Sequence, residues 1–184
     1  MRIVVGITGA TGAIYGINLL EQLKKMDIET HLILSHWARR TIELETSYSV
    51  RQVIDLANIY YPEDHLAAAI SSGSFRHQGM IIAPCSMKTL AGLAHGYAEN
   101  LIVRAADVTL KEGRPLILVP RETPLNAIHL ENMLKLAKCG AVILPPMPAF
   151  YHRPASIQDI VDQTVGRILD RLGVENNLVK RWTE

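Results

Sequence analysis

The residues best equipped for chemistry in this sequence are Arg104, Lys111, Arg121 and Glu122, all within the stretch RAADVTLKEGRPLILVPRE. Arg104 and Lys111 stand seven positions apart in a segment, 101–112, whose apolar spacing predicts a helix, and at about 100° per residue they share one helix face. The helix feeds a predicted strand, 115–119, that runs out into Pro120, Arg121 and Glu122. Cations on one helix face beside an arginine and a carboxylate at a strand end form a clamp for an anion with an acid next to it. A second reading uses the same residues: Asp107 lies between the two cations at helical spacing, which makes a solvated ion-pair ladder worth only tenths of a kcal/mol.

The elements that must position such a clamp can be read from the rest of the chain. With 184 residues, 48% of them apolar, and a formal charge of +1, the chain can bury one substantial core. The simplest organisation is one domain over 1–184. Near-neutrality argues against a nucleic-acid binder that works by neutralising many phosphates, while leaving room for a local anion site. No apolar run is long enough to span a bilayer and Met1 leads straight into a strand-like stretch, so a cytoplasmic protein is expected. Cys85 and Cys139 are too few for a disulfide framework, and the seven histidines show no zinc spacing, so no metal is expected.

Apolar strand-like runs at 2–7, 29–34, 80–83, 115–119 and 141–144 alternate with helical patterns at 13–26, 36–45, 87–94, 101–112, 125–138 and 157–172. Residues 47–79 are less regular: 50–57 reads as helix, Tyr60 to Pro62 as a turn, and Ser71 to Ser74 as a flexible polar loop. Gly140 stands where a helix C-cap glycine belongs, and Ser156 with Asp159 has capping-box spacing. Strands alternating with helices through short connections predict a three-layer, doubly wound α/β fold on a Rossmann-like parallel sheet.

Ligands in such folds bind at the carboxyl ends of the strands, where turns open into helix N-termini. The first suitable turn is Thr8-Gly9-Ala10-Thr11-Gly12-Ala13, whose small residues admit a ligand and whose hydroxyls can donate. Its glycines do not follow G-x-G-x-x-G, and the second strand ends at Ser35 without an acid for a ribose, which disfavours NAD. The alternative is a glycine turn that only allows close helix–strand packing. The second is Pro84-Cys85-Ser86-Met87-Lys88-Thr89, where Ser86 and Thr89 with the first helical N–H groups make a seat for a phosphate. Cys85 reads as a small buried filler rather than an activated thiolate. Glu45, Arg167 and Tyr151 complete the candidates, each with a plainer reading as a surface charge, a snorkelling side chain and a packing aromatic.

Taken in order, TGATGAIYG, ETHLILS, IELET, ISSGSF, PCSMKTLAG, RAADVTLKEGRPLILVPRETPL, HLENML, PPMPAFYHRP and the closing Arg181-Trp182 resemble the flavin prenyltransferase family, UbiX-like proteins once described as small subunits of aromatic acid decarboxylases. The resemblance implies a homo-oligomeric flavoprotein fold, often a homododecamer, with active sites between subunits. It implies a transferase that moves a dimethylallyl group from dimethylallyl phosphate to N5 and C6 of reduced FMN, without metal. The product, prenylated FMN, would serve a UbiD-type decarboxylase. Carried over by motif, FMN would lie against Gly9, Ala10, Thr11, Ser35, Ser86, Met87, Lys88, Thr89 and Arg121. The isoprenyl phosphate would be held by Lys111, Arg121, Tyr151 and Arg167. Glu45 and Glu122 would be the acid–base and orienting carboxylates, with Arg104 in the same cluster. Thr11 stands where many relatives have Ser. Two alternatives share the fold or the ligand: an FMN-dependent cysteine-peptide decarboxylase, whose Pro-x-Met-Asn segment is replaced here by PPMPAFY, and a non-catalytic flavin-carrying subunit.

Overall fold

The computed structural model describes residues 1–179 and 181. Six parallel strands, β1 (Arg2–Ile7), β2 (Glu29–Leu34), β3 (Ile59–Pro62), β4 (Gly79–Cys85), β5 (Leu116–Pro120) and β6 (Val142–Ile143), form one sheet in the order β3-β2-β1-β4-β5-β6. This is the doubly wound order of the predicted Rossmann-like class. The helices are α1 (Ala13–Lys25), α2 (His36–Glu45), α3 (Val50–Ile54), α4 (Met87–Ala94), α5 (Leu101–Lys111), α6 (Ala127–Lys138) and α7 (Ile157–Arg171).

The strands are apolar throughout because both faces are covered. Along β1, Ile3, Val5 and Ile7 face a core built with α1, α2, α3 and α7, whereas Val4 faces the opposite core, built with α4, α5 and α6. Helix starts follow local chemistry: Ser35, Ser86, Asn100, Asn126 and Ser156 each accept a backbone N–H as N-cap, with Ser156 and Asp159 in a reciprocal capping box. Gly140 takes φ +96° just past α6, as its position predicts.

Three readings of the irregular middle need correction. Tyr60 to Pro62 is not a turn but the body of edge strand β3, which pairs with His31 to Leu34 of β2, Tyr60 and Tyr61 opposite Leu32 and Ile33; Pro62 is tolerated at its end because an edge needs no donor there. The helix read over 50–57 stops at Ile54, with Asp55 as its C-cap. The 71–74 segment is pinned rather than loose, since Arg114 donates to the carbonyls of Gly73 at 2.8 Å and Phe75 at 2.7 Å. Of the closing pair, Arg181 bonds Asp170 at 3.0 Å, and Trp182 lies outside the described residues.

Candidate active site

β1 and β4 are neighbours whose following helices leave for opposite faces, α1 to one core and α4 to the other, so a crevice opens between their carboxyl ends. Thr8 holds its two sides together: its hydroxyl donates to Pro84 O at 2.8 Å and accepts from Ser86 N–H at 2.8 Å. The loop that follows separates two hollows.

The first, of about 320 Å³, is lined on one side by Thr8, Gly9 and Ser35 and on the other by Ser86, Lys88 and Thr89. Ser86 accepts from Thr89 N–H at 3.3 Å and its hydroxyl lies 3.1 Å from that of Thr89. The first turn of α4 opens beside these hydroxyls, and its Met87 and Lys88 N–H groups have no acceptor among the described residues, an arrangement able to take an anion. Trp37 closes the wall and passes so near Gly9 that a Cβ there would come within 2.3 Å of the Trp37 Cβ. Met87 packs into the core beneath, and Ala10 sits half-buried at the loop crest.

The second hollow gathers Thr11, Gly12, Tyr15, Glu45, Arg121 and Pro146. Gly12 takes φ +98°, a left-handed conformation that side chains rarely adopt, and its N–H donates to Glu45 Oε2 at 2.7 Å. Arg121 reaches this place because β5 ends beside β4, where its N–H donates to Cys85 O at 3.2 Å. Tyr15 is held as the neutral phenol by burial, an effect the charge of Arg121 opposes. Arg121 also lines a third hollow with Glu122 and the proline run 145–148, and Arg167 lines a fourth with Leu144, Pro145 and Met147. Tyr151 accepts from Gln163 Nε2 at 3.3 Å along the same wall, and Arg167 lies 3.7 Å from Asp170.

The four-residue clamp does not close within one chain. α5 runs from the carboxyl edge of the sheet to the amino edge, about 16 Å at 1.5 Å per residue. Lys111 therefore ends beside Glu112 at 3.5 Å, near the start of β5, while Arg121 stands at the far end of that strand. Arg104, one turn into α5, bonds Asp107 at 3.1 Å and Ser71 O at 3.2 Å. The ion-pair reading is thus correct for Arg104 and Asp107, and Asp107 does not bridge to Lys111.

Cys85 is fully buried, and burial pushes its thiol up to about 12, which removes it as a nucleophile at neutral pH. Sequence reasoning passed over Trp37, Glu63, Asn100 and Tyr15, all of which line the hollows. Asn100 was discoverable as a capping residue ahead of an apolar helix, and Glu63 as the residue after a strand end once 59–62 is recognised as a strand. No cluster of three or more metal-ligating side chains occurs among the described residues.

A doubly wound sheet with hydroxyls and a helix start gathered at its switch point is the architecture of nucleotide- and flavin-binding folds. The flavoprotein family model matches residues 1–169. A probable UbiX-like flavin prenyltransferase from Streptomyces sp. (strain D7) is 59% identical over 184 residues, covering 99% of this chain and 92% of the relative. Among solved structures, AnUbiX (PadA1) in complex with FMN and dimethylallyl pyrophosphate superposes with a TM-score of 0.98 at 52% identity, covering 100% of this chain and 97% of that one. A dodecameric FMN-dependent UbiX-like decarboxylase from Escherichia coli O157:H7 gives 0.98 at 56% identity, with 100% of both chains covered. The chain belongs to the UbiX-like flavin prenyltransferases, a transferase family of flavoproteins.

Proposed function

We propose that the chain transfers a dimethylallyl group from dimethylallyl phosphate to N5 and C6 of reduced FMN, and that the carboxyl edge of the sheet is where this happens. The observation that carries the reading is the arrangement around the Thr8–Gly12 loop: a hydroxyl-lined phosphate seat on one side, and on the other a hollow holding Glu45 and Arg121. The flavin's phosphate fits the first, and the second is where a second, isoprenoid phosphate meets a cation. Reduced flavin supplies the nucleophilic ring atoms.

The chain's own residues act on the donor. Breaking an allylic C–O bond leaves growing negative charge on the departing phosphate, so Arg121, Tyr151 and Arg167 along the 145–151 wall favour departure. At an effective dielectric near 20, one such contact at about 4 Å is of order 4 kcal/mol before desolvation, and donors fixed in advance make it count in the transition state. Glu122, exposed beside Arg121, and Glu45, bonded to Gly12, are the groups placed to take or return a proton.

Arg104 and Lys111 join the site from a neighbouring copy, with α5 of one subunit presented to the carboxyl edge of another. Exposed apolar side chains such as Ile128, Leu130, Leu134, Met147, Phe150 and Ile157 support self-association on both α6 and the 145–157 wall. On this reading the chain is one flavoprotein domain in a homo-oligomer, cytoplasmic, and its product passes to a UbiD-type decarboxylase. No helix among the described residues is long and apolar enough to cross a membrane. Incubating the protein anaerobically with reduced FMN and dimethylallyl phosphate, then weighing the flavin by mass spectrometry, tests the reaction. A flavin heavier by one five-carbon isoprenyl unit is expected, and unchanged flavin would return the chain to the carrier alternative.

A further inference from the structure

Helix N-termini converge on the first hollow from three elements: α2 after Ser35, α4 after Ser86 and α5 after Asn100. Each carries partial positive charge and unsatisfied N–H groups, so each could take an anion. Glu63, directly after edge strand β3, occupies two of them. Its Oε1 accepts from His36 N–H, the first residue of α2, at 2.5 Å, and its Oε2 accepts from Asn100 Nδ2 at 3.2 Å. Its carbonyl also accepts from Leu101 N–H, the first residue of α5, at 2.7 Å. Among the described residues Glu63 has no cation within ion-pair distance. Its charge is therefore balanced by helix ends and amides alone. At α4, by contrast, Ser86 takes the N–H of Thr89, and the N–H groups of Met87 and Lys88 have no acceptor among the described residues.

We infer that Glu63 is a specificity-determining residue of the flavin seat: its carboxylate sits at the α2 start and beside the Asn100 amide while its carbonyl takes the first N–H of α5, so that one phosphate, at α4, is all the hollow accepts. The inference rests on the reading of this hollow as the flavin's phosphate seat. A single terminal phosphate then meets Ser86, Thr89 and free N–H groups. A diphosphate-linked flavin such as FAD would have to bring its second phosphate against Glu63, where like charges at short range oppose binding. The same residue fixes the shape of the seat, because it ties the starts of α2 and α5 to the end of β3.

The test is a set of dissociation constants for FMN, riboflavin and FAD, measured by flavin fluorescence on the full-length oligomer. Wild type is expected to bind FMN over both others. Glu63→Gln keeps an acceptor for His36 N–H without the charge, and should narrow the FMN-over-FAD preference about tenfold while FMN remains preferred to riboflavin. A folded Glu63→Gln protein with the wild-type FMN-over-FAD ratio overturns the inference. Should that variant not assemble, the wild-type FMN-over-FAD preference is read at low and at high salt: rejection of the second phosphate by a like charge should weaken as salt rises, and a preference unchanged by salt overturns the inference equally. Failure of wild type to bind FMN at all is a different result, which defeats the flavin reading itself.

Discussion

The two edges of the sheet are made from the same strands and behave as opposites. At the amino edge the chain satisfies itself: Arg2 bonds Glu29 at 2.7 Å and lies 4.8 Å over the Phe75 ring, and Glu29 also meets His31 at 2.9 Å. His31 in turn meets the Tyr61 hydroxyl at 3.0 Å and stacks on its ring, and Arg114 binds the 73–75 carbonyls. At the carboxyl edge, the Met87 and Lys88 N–H groups stand beside a hollow with no acceptor among the described residues, and Arg121 lines two hollows without an ion pair among them. Groups that are paired internally stabilise a fold, and groups held in place but left unpaired are the ones a ligand can use. The difference teaches that stability and function have been assigned to opposite ends of one layer.

The largest effects should come from the open edge. Glu122→Gln or Lys111→Ala should cut prenyl transfer by about two to three orders of magnitude, as removal of a transition-state contact does, while the protein still binds FMN; near wild-type turnover in either would remove that residue from the site. Ser86→Ala should come next, weakening FMN by roughly tenfold and stability by about 1 kcal/mol through loss of the α4 cap. Titration with FMN and urea melts would read the two separately.

The amino edge should respond in stability alone. Glu29 is held at about 2, below its usual 4.5, first by its hydrogen bond from Arg2 and then by His31. A carboxylate depressed in the folded state contributes fully above its unfolded value and loses that contribution as pH falls toward its folded one. Wild type should therefore melt at higher temperature than Glu29→Gln at pH 7, with the gap closing as pH falls from about 4.5 to about 2. Turnover at neutral pH should be equal, and slower catalysis in Glu29→Gln would blur the division between the edges. The smallest effect belongs to Cys85→Ala, expected to cost about 1 kcal/mol by removing a buried atom and to leave prenyl transfer intact. Loss of activity there would revive the thiolate.

Much of this was legible from residue order alone. Apolar runs placed five of the six strands, because a strand buried on both faces must be apolar throughout, and Ser156 with Asp159 marked where the last helix begins. β3 escaped because an edge strand is only half covered: Ile59 and Pro62 are exposed, and the Tyr-Tyr-Pro string carries turn chemistry as well as strand chemistry. Missing it hid Glu63. That the clamp does not close within one chain was hidden for a related reason. Spacing along α5 puts Arg104 and Lys111 on one face, but says nothing of the direction in which that helix crosses the sheet, and the crossing carries Lys111 to the edge opposite Arg121. Sequence distance between the two is short and the route between them is the length of a helix and a strand.

Complementation between subunits tests the account most directly. Lys111→Ala and Glu122→Gln chains, each inactive as a pure oligomer, would be co-expressed, purified as mixed oligomers and given reduced FMN and dimethylallyl phosphate. If one copy lends Lys111 to another copy's Arg121 and Glu122, random mixing leaves about a quarter of the sites with both residues intact, and prenylated flavin should reappear at that level. Mixed oligomers as inactive as their parents would contradict the account, placing both residues in the same chain's site or outside the chemistry altogether.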